Sequence, residues 1–253
     1  MNKQELRERL RYFLKQSLDH FPMLYMAYIS RKYRNHWFKQ RIVKNSTDIV
    51  IEGFPRSANS FAVQAFKVAQ SSDEITIATH VHSPSHVIKA VKLNKPVLVL
   101  IRNPRDTLIS LRALGMQLQD TQAEAMLNYS FNHMASYYIH FYKRLMAFQD
   151  QVIFAEFDQV IKDFPGIINH LNYRYGTSFL CYGKDSIDNN KIFEKGGFHL
   201  SPNKKRNNFK ELLDKSFSNN CSKDLEMKMN KIYNEVVELI NNYELPNNSN
   251  DIK

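Results

Sequence analysis

From residue 47 onward, short continuous apolar runs alternate with helical patterns along the chain. The runs are rich in Val, Ile and Leu and lack polar alternation, which is typical of strands that are covered on both faces. Because helices join neighbouring parallel strands, this order predicts an α/β fold in three layers, α/β/α, with a central parallel sheet. The strand candidates are TDIVIEGF, ITIATHVH, PVLVLIR and VIFAEF, and the helix candidates among them are NSFAVQAFKVAQ and TLISLRAL.

Helical spacing also extends beyond this core. Residues 3–34 place apolar and basic side chains on different faces, so a basic face could contact a membrane or an acidic partner, although such a segment is more often packed on its own domain. Residues 121–148 and 222–243 are predicted to form long helices. Between these two, from about residue 183, glycine, proline and asparagine punctuate a basic stretch in which loops are expected.

A chain of 253 residues, 43% of them hydrophobic, can bury its core in one domain. We therefore expect a single domain that spans residues 1–253. Its expected parts are an N-terminal helical segment at 1–45, an α/β core at 46–182, a late basic loop and C-terminal helix at 183–245, and a flexible tail at 246–253.

The charge balance favours an anionic partner, because 35 Lys and Arg residues against 25 acidic ones give a net charge of +10. Nucleic acid, a membrane surface and phosphorylated small molecules all meet this condition. The cysteines, Cys181 and Cys221, show neither disulfide nor zinc-site spacing, which indicates a reducing compartment. The most apolar early run, residues 21–29, is shorter than the roughly 20 residues of a membrane span. We expect a cytoplasmic protein without a transmembrane segment.

The first candidate strand leads into a turn with the sequence GFPRSANSF. A phosphate-binding loop of the form G-x-x-x-x-G-K-[ST] would carry glycine and lysine where this chain has Ala58 and Asn59. The backbone N–H groups at the start of the following helix would still attract an anion. Four side chains add donors there: Arg56, Ser57, Asn59 and Ser60. The alternative is that serine and asparagine serve only as helix caps.

The second turn has the sequence LVLIRNPRDTLISL. Asn103 suits the N-cap and Pro104 the first helical position, so a helix should begin directly after Arg102. Ser110 lies on the same helical face as the cap, so Arg102 and Ser110 could hold one phosphate together. Taken alone, the pattern also fits a capped helix with a solvated arginine. The two turns together predict a ligand with phosphate groups at two positions, bound beyond the carboxyl ends of the strands.

The two turns resemble the cofactor signatures of sulfotransferases that use 3'-phosphoadenosine 5'-phosphosulfate (PAPS). In that family a P-K-S-G-T-T-W loop binds the 5'-phosphosulfate, and an Arg and a Ser eight residues apart bind the 3'-phosphate, a pattern that Arg102 and Ser110 match. The resemblance implies a P-loop-NTPase-like sulfotransferase fold. With Pro55 at the family's proline, it assigns the 5'-phosphosulfate loop to Arg56, Ser57, Ala58, Asn59, Ser60 and Phe61.

Two departures from the family's loop bear on the chemistry. Arg56 replaces a lysine, which keeps the charge but exchanges a compact ammonium for a planar fork of donors. Ala58 replaces a glycine, so the turn either needs no positive φ at this position or tolerates some strain.

Sulfuryl transfer needs a base for the acceptor's proton and cations where charge builds on the departing phosphate. The resemblance implies a histidine base after the second strand, in a K-T-H context, and His80 follows Thr79 here. We predict His80 as the general base and Arg56 as the stabiliser of the leaving group. His82 and His86 lie close by and are alternative bases, and a lone histidine is more often only a hydrogen-bonded structural residue.

The family closes its nucleotide site with a late basic segment, often R-K-G-x-x-G, which residues 194–206 match in part. Lys205 and Arg206 could reach the 3'-phosphate, or they could form an exposed charge run. These assignments predict an enzyme that transfers the sulfuryl group of PAPS, by in-line displacement and without a metal, to a hydroxyl or amine of a small-molecule acceptor and releases the 3',5'-bisphosphate product, PAP.

Three other classes fit the sequence less well. A P-loop kinase would need the missing glycine and lysine of the first turn, and a dinucleotide oxidoreductase would need G-x-G-x-x-G, which the seven glycines do not form. A nucleic-acid-binding protein would explain the basic charge, but the aromatic residues fall at helical or core positions and no recognition motif occurs, so no nucleic acid partner is predicted. The acceptor and the oligomeric state stay open.

Overall fold

The computed structural model describes residues 17–70, 75–117, 130–181 and 204–243. Its centre is a parallel sheet of four strands, and all structural statements below concern these described residues. The strands are β1 (Ile49–Gly53), β2 (Ile77–Thr79), β3 (Val97–Ile101) and β4 (Ile153–Glu156), in the spatial order β2-β1-β3-β4.

Helices connect the strands and cover both faces of the sheet. Their bounds are α1 (Pro22–Lys32), α2 (Asn59–Gln70), α3 (Pro84–Lys92), α4 (Pro104–Gln117), α5 (Phe131–Met146), α6 (Phe157–Lys162), α7 (Phe164–Tyr175), α8 (Lys204–Asn220) and α9 (Lys223–Asn241). Two short 3-10 helices lie at Trp37–Arg41 and Gln149–Gln151. Among the described residues, no helix combines the length and the apolar character that crossing a bilayer requires.

The two-residue repeat of the strands sorts their side chains onto two separate cores. In β3, Val97, Val99 and Ile101 point into a core shared with α1, α3, α4, α5, α8 and α9. Leu98 and Leu100 point the other way, into a core shared with α2, α6 and α7. Both faces of the sheet are therefore buried, which explains why the strands are unbroken apolar runs in the sequence. This arrangement confirms the three-layer α/β/α prediction.

The C-terminal part differs from the sequence-based expectation. Where loops were predicted, residues 204–220 form helix α8, whose Phe217 is fully buried with its ring 4.9 Å from that of Phe131. Arg105 of α4 holds the same helix through an ion pair of 2.9 Å with Asp214. The segment is polar in composition, and it nevertheless forms a helix. One buried aromatic side chain and contacts with α4 stabilise this helix.

Several boundaries predicted from the sequence fall partly outside the described residues. The predicted helix at 121–148 is observed as α5, and residues 118–129 lie outside the described part. The same holds for residues 1–16 of the predicted N-terminal helix, for residues 182–203 of the late basic segment and for the tail at 246–253. The division of the chain into these parts stays a prediction.

Candidate active site

The first turn connects β1 to α2 at the carboxyl edge of the sheet. Gly53 ends the strand, and a Cβ there would lie 2.5 Å from the backbone oxygen of Leu100, so only glycine fits this close approach. Arg56 and Ala58 both have a positive φ, at 75° and 71°. Ala58 therefore stands in the left-handed region that favours glycine, and the turn carries a strain of about 1 kcal/mol or more for each such residue.

Hydrogen bonds within the turn hold this strained shape. The backbone N–H of Ser57 donates to the oxygen of Phe54 at 3.2 Å, and the side-chain amide of Asn59 donates to the same oxygen at 3.0 Å. Both side chains are buried, and Phe61 is buried in the core under α2. Ser57 thus shapes the turn through its backbone N–H and Asn59 through its side chain. The first N–H groups of α2 have no acceptor within the helix.

The second turn connects β3 to α4 as the sequence predicted. Asn103 caps the helix, because its side-chain oxygen accepts from the N–H of Asp106 at 3.3 Å, and Pro104 is the first helical residue. The guanidinium of Arg102 lies 4.1 Å from the ring centroid of Phe157. This stacking holds the arginine at the strand end and restricts its rotamers.

The two turns meet directly. Arg56 Nε donates to Ser110 Oγ at 3.1 Å, and Arg102 Nη1 donates to the backbone oxygen of Arg56 at 3.4 Å. Ser110 is 1% exposed, so its hydroxyl is a fixed partner at the inner wall of the site. The structure brings together the positively charged residues of both motifs, which lie on separate crossover units of the sequence.

Two further cations complete a group that we call the cation cluster: Arg56, Arg102, Arg206 and Lys210. Burial and the charges of Arg206 and Arg102 lower the pKa of Arg56 to about 10. Burial lowers the pKa of Lys210, and so do the charges of the three arginines. Burial also lowers the pKa of Arg102 and of Arg206. The neighbouring positive charges therefore oppose the charged forms of Arg56 and Lys210, and an anion beside them would relieve this repulsion.

Helix α8 supplies the late members of the cluster. Arg206 is 4% exposed, and its Nε donates to Gln117 Oε1 at 2.7 Å. Lys205 is exposed, with its Nζ 6.0 Å from the ring centroid of Phe209. Of the pair predicted from the sequence, Arg206 therefore faces the site and Lys205 faces solvent. Lys210 was missed, although it stands one helical turn after Arg206.

His80 lies between the end of β2 and the start of α2. Its Nε2 is 3.0 Å from Ser60 Oγ, and its Nδ1 is 2.9 Å from Thr79 Oγ1. The residue has a φ of 57°, which is rare for a non-glycine residue and marks a position that the surroundings hold under strain. Two hydroxyl groups therefore orient the imidazole beside the first turn.

Ring nitrogens of the two alternative histidines are hydrogen-bonded to backbone and carboxylate groups. His82 Nδ1 lies 2.8 Å from the oxygen of Gly53, which the ring nitrogen reaches as a donor. His86 is fully buried, with its Nδ1 2.9 Å from Glu52 Oε1, and its Nε2 accepts from the backbone N–H of Val43 at 2.8 Å. His86 is thus enclosed, whereas His80 is half-buried at the site.

Glu52 is a residue that the sequence analysis missed. Its buried carboxylate accepts from the N–H groups of Val81 at 2.7 Å and of His82 at 3.2 Å, so it ties β1 to the segment that carries His80. Burial opposes the ionisation of Glu52, but the hydrogen bonds from His86 and from the Val81 amide lower its pKa. The signal was a single charge inside the apolar run IVIEGF.

Three tyrosines of α5 hold the strand ends, and these also escaped sequence reasoning. The Tyr142 hydroxyl donates to the oxygen of Leu100 at 2.7 Å and accepts from the N–H of Phe54 at 3.3 Å. Tyr138 donates to the backbone oxygen of Arg102 at 2.8 Å, and Tyr137 donates to the backbone oxygen of His82, which follows β2. One helix therefore fixes the positions of all three segments that build the site.

Replacing Tyr142 by Phe is expected to lower the free energy of unfolding by about 1–3 kcal/mol, because it leaves the buried N–H of Phe54 without its partner. Urea denaturation of both proteins measures this difference. Tyr173→Phe is the matched control, since that side chain is 65% exposed. Equal stability of Tyr142→Phe and the wild type would contradict a supporting role for this hydroxyl.

The fold and the site define an α/β protein with a cluster of cations at the carboxyl edge of a parallel sheet. A family model described as a sulfotransferase domain matches residues 7–241, so the chain belongs to the sulfotransferase family. Among solved structures, it is similar to mouse sulfotransferase SULT7A1 complexed with PAP, with 12% identity, coverage of 77% of this chain and 91% of that chain, and a TM-score of 0.39. A search of curated proteins found no match.

Proposed function

We propose that this sulfotransferase uses PAPS as the donor and transfers its sulfuryl group to a hydroxyl or amine of a small-molecule acceptor. The acceptor oxygen or nitrogen attacks sulfur in line with the bridging oxygen of the phosphosulfate, the bond from sulfur to that oxygen breaks, and PAP leaves with the electron pair. The acceptor's proton goes to the base. The step is balanced without a redox partner, and it places the developing charge on the departing phosphate.

The observation that carries this proposal is the hydrogen bond of 3.1 Å between Arg56 and Ser110, which joins the two motifs into one site. PAP has phosphate groups at the 5' and 3' positions of its ribose. The first turn suits the 5'-phosphosulfate, because helix N–H groups and Arg56 converge there. Arg102 and Ser110, with Arg206 from α8, suit the 3'-phosphate. A doubly charged anion at each end would offset the mutual repulsion of the cation cluster.

We propose His80 as the general base. Its Nε2 lies beside Ser60, the second residue of α2, so it is within reach of a sulfuryl group held at that helix start. Thr79 Oγ1 at Nδ1 orients the opposite side of the ring. Arg56 and the N–H groups of α2 would stabilise the charge on the leaving phosphate, in a partly buried site where such interactions are strong. The proposed step therefore needs no metal ion.

We also propose a compartment, a class of ligand and a domain extent for this protein. Cys181 and Cys221 are free thiols, which suits a reducing, cytoplasmic compartment. The members of the cation cluster are half-buried or buried, and that placement favours a small phosphorylated ligand over a nucleic acid strand. We propose that residues 1–253 act as one domain, because α8 and α9 complete the core on one face of the sheet.

The direct test is stabilisation by the nucleotide. PAP at about 100 times its dissociation constant is expected to raise the melting temperature by about 5–10 °C. ATP with magnesium and a single-stranded oligonucleotide at the same concentration are the controls, and neither should match PAP. If PAP produced no shift while ATP with magnesium did, the chain would bind nucleotide as a phosphotransferase does and the proposed donor would be wrong.

Lys210 provides a second test of the same site. Lys210→Ala is expected to weaken PAP binding about tenfold in calorimetry, because its ammonium joins the three arginines around the ligand. Lys215→Ala on the same helix is the matched control, since Lys215 is exposed and lies outside the cluster. Equal affinities of the two variants would remove Lys210 from the site and leave the rest of the proposal intact.

A further inference from the structure

Large apolar side chains are exposed along one stretch near the start of the described chain. In the described part, nine large hydrophobic side chains are exposed, and five of them fall between residues 21 and 37. Scattered exposed apolar residues are normal, but a concentration of this kind marks an interaction surface. The five are Phe21, Met23, Leu24, Tyr28 and Trp37, each more than half exposed. We call them the apolar patch.

Helix α1 presents most of this patch on the face that turns away from the core. Tyr25, Met26 and Ile29 are buried and pack on one side of the helix. Phe21 precedes the helix, and Leu24 and Tyr28 follow it at helical spacings of three and four on the exposed side. A surface helix ordinarily carries polar side chains on its outer face, so α1 is apolar where water would favour charge.

Positive charge surrounds the patch. From His20 to Thr47 the sequence has no Asp or Glu, and it has six Lys and Arg residues: Arg31, Lys32, Arg34, Lys39, Arg41 and Lys44. The Arg41 guanidinium lies 4.6 Å from the Trp37 ring centroid, and Lys32 Nζ lies 6.0 Å from that of Tyr28. Cations beside exposed aromatic rings suit the boundary between lipid headgroups and acyl chains.

A groove of about 660 Å³ begins where α1 starts, lined by His20 and Pro22 on that side. Its lining also includes the cations Lys92, Lys143 and Arg144 together with several apolar side chains. Arg144 Nη2 donates to the backbone oxygen of Asp19 at 3.4 Å, while its Nε is buried and makes no hydrogen bond within the described chain. The groove therefore combines apolar surface with cationic donors, which matches a phosphate-bearing amphiphile.

We propose that this surface docks the protein on a bilayer that contains anionic lipids. In this arrangement α1 lies in the plane of the interface with the apolar patch among the upper acyl chains, and the surrounding cations and the groove contact lipid phosphates. The docking is peripheral, and it is independent of the proposed donor site because it uses none of the cation cluster.

Two other occupants fit these observations less well. A second copy of the chain would bring the same cations and a net charge of +10 against the surface. A nucleic acid strand would be attracted by the charge and could stack on Trp37, but its bases do not stack on the aliphatic side chains of Met23 and Leu24. An anionic lipid supplies hydrocarbon for the apolar patch and phosphate for the surrounding cations.

Trp37 is the one tryptophan of the sequence and reports on this surface without labelling. The full chain is mixed with vesicles of phosphatidylcholine alone or with about one third phosphatidylglycerol. Only the anionic vesicles are expected to shift the Trp37 emission to shorter wavelength, and lipids with brominated acyl chains should quench it. High salt should weaken the binding, because the attraction between exposed charges is screened. The absence of a shift, or an equal shift with both vesicles, would overturn the proposal.

Two variants separate the contributions of the patch and of the charges. Leu24→Ser is expected to lower the partition into anionic vesicles about tenfold, and the double change of Lys39 and Arg41 to Gln about as much. Met227→Ser is the matched control, since Met227 is 65% exposed on α9 and belongs to no part of this surface. Vesicle sedimentation measures all of them, and PAP affinity is expected to stay unchanged throughout.

The competing occupants give different outcomes. If Leu24→Ser converted a dimer to a monomer in light scattering while vesicle binding stayed unchanged, the patch would be an interface between copies of the chain. If an oligonucleotide bound more tightly than anionic vesicles and Lys39 and Arg41 governed that binding, the surface would recognise nucleic acid. Equal loss of vesicle binding in Leu24→Ser and Met227→Ser would show that no particular surface docks.

Discussion

Replacing His80 by Ala is expected to lower the turnover number by about 10²–10⁴-fold while the affinity for PAP stays within about twofold. The base acts only on the acceptor's proton, so its loss affects the transition state and not the bound nucleotide. Single-turnover transfer from labelled PAPS, with hydroxyl and amine acceptors, measures the rate. Calorimetry with PAP measures the affinity separately.

Two controls make this result specific to His80. His82→Ala removes the neighbouring ring, 5.5 Å away between centroids, and should retain more activity because its Nδ1 is used by the backbone of Gly53. Imidazole added to the buffer should restore part of the activity of His80→Ala, since a small base can enter the space of the missing ring. If His82→Ala lost the larger share of turnover and His80→Ala kept it, the assignment of the base would move to His82.

The parts of the site that depend on neighbouring residues in sequence could be predicted. The turn after β3 is an example: its cap at Asn103 and its start at Pro104 are local, and both are found in the structure. The shared phosphate of Arg102 and Ser110 stays a prediction, because the Ser110 hydroxyl accepts from Arg56 in the structure. The parallel sheet could be predicted for the same reason, because the continuous apolar runs and the helical patterns between them are local features of the sequence.

The residues that were missed act through contacts between distant parts of the chain. Tyr142 bonds to Phe54, 88 residues earlier, and the spacing of α5 says nothing about which strand ends it will reach. Lys210 joins the cation cluster only because α8 packs on α4, an arrangement held by Arg105 and Asp214. Such contacts depend on the register of two packed elements, which a single sequence does not show.

Ala58 illustrates a local question that only the structure could resolve. The sequence allowed either a turn without a positive φ or a strained alanine, and the observed φ of 71° is the strained form. The neighbours that impose it are Asn59, which bonds to the oxygen of Phe54, and Tyr142, which holds the Phe54 N–H. Here long-range packing overrides the backbone preference of one residue.

Arg102→Ala is expected to weaken PAP binding by about 100-fold, because a guanidinium held between Phe157 and the first turn makes charge-assisted hydrogen bonds that no other group at that position can replace. The stacking of Arg102 on Phe157 already holds the guanidinium in place when the ligand binds, so little side-chain entropy is lost on binding. Calorimetry with PAP measures the loss. Arg174→Ala is the matched control, since Arg174 is exposed at the far end of α7.

A truncated nucleotide shows which phosphate Arg102 holds. Adenosine 5'-phosphosulfate lacks the 3'-phosphate, so Arg102→Ala should change its affinity by no more than about twofold while Arg56→Ala weakens it strongly. The two arginines then act on opposite ends of one ligand, although Arg102 also donates to the backbone of Arg56 at 3.4 Å. If Arg102→Ala weakened both nucleotides equally, its effect would pass through the shape of the first turn, and the 3'-phosphate would be bound by Arg206 and Lys210 instead.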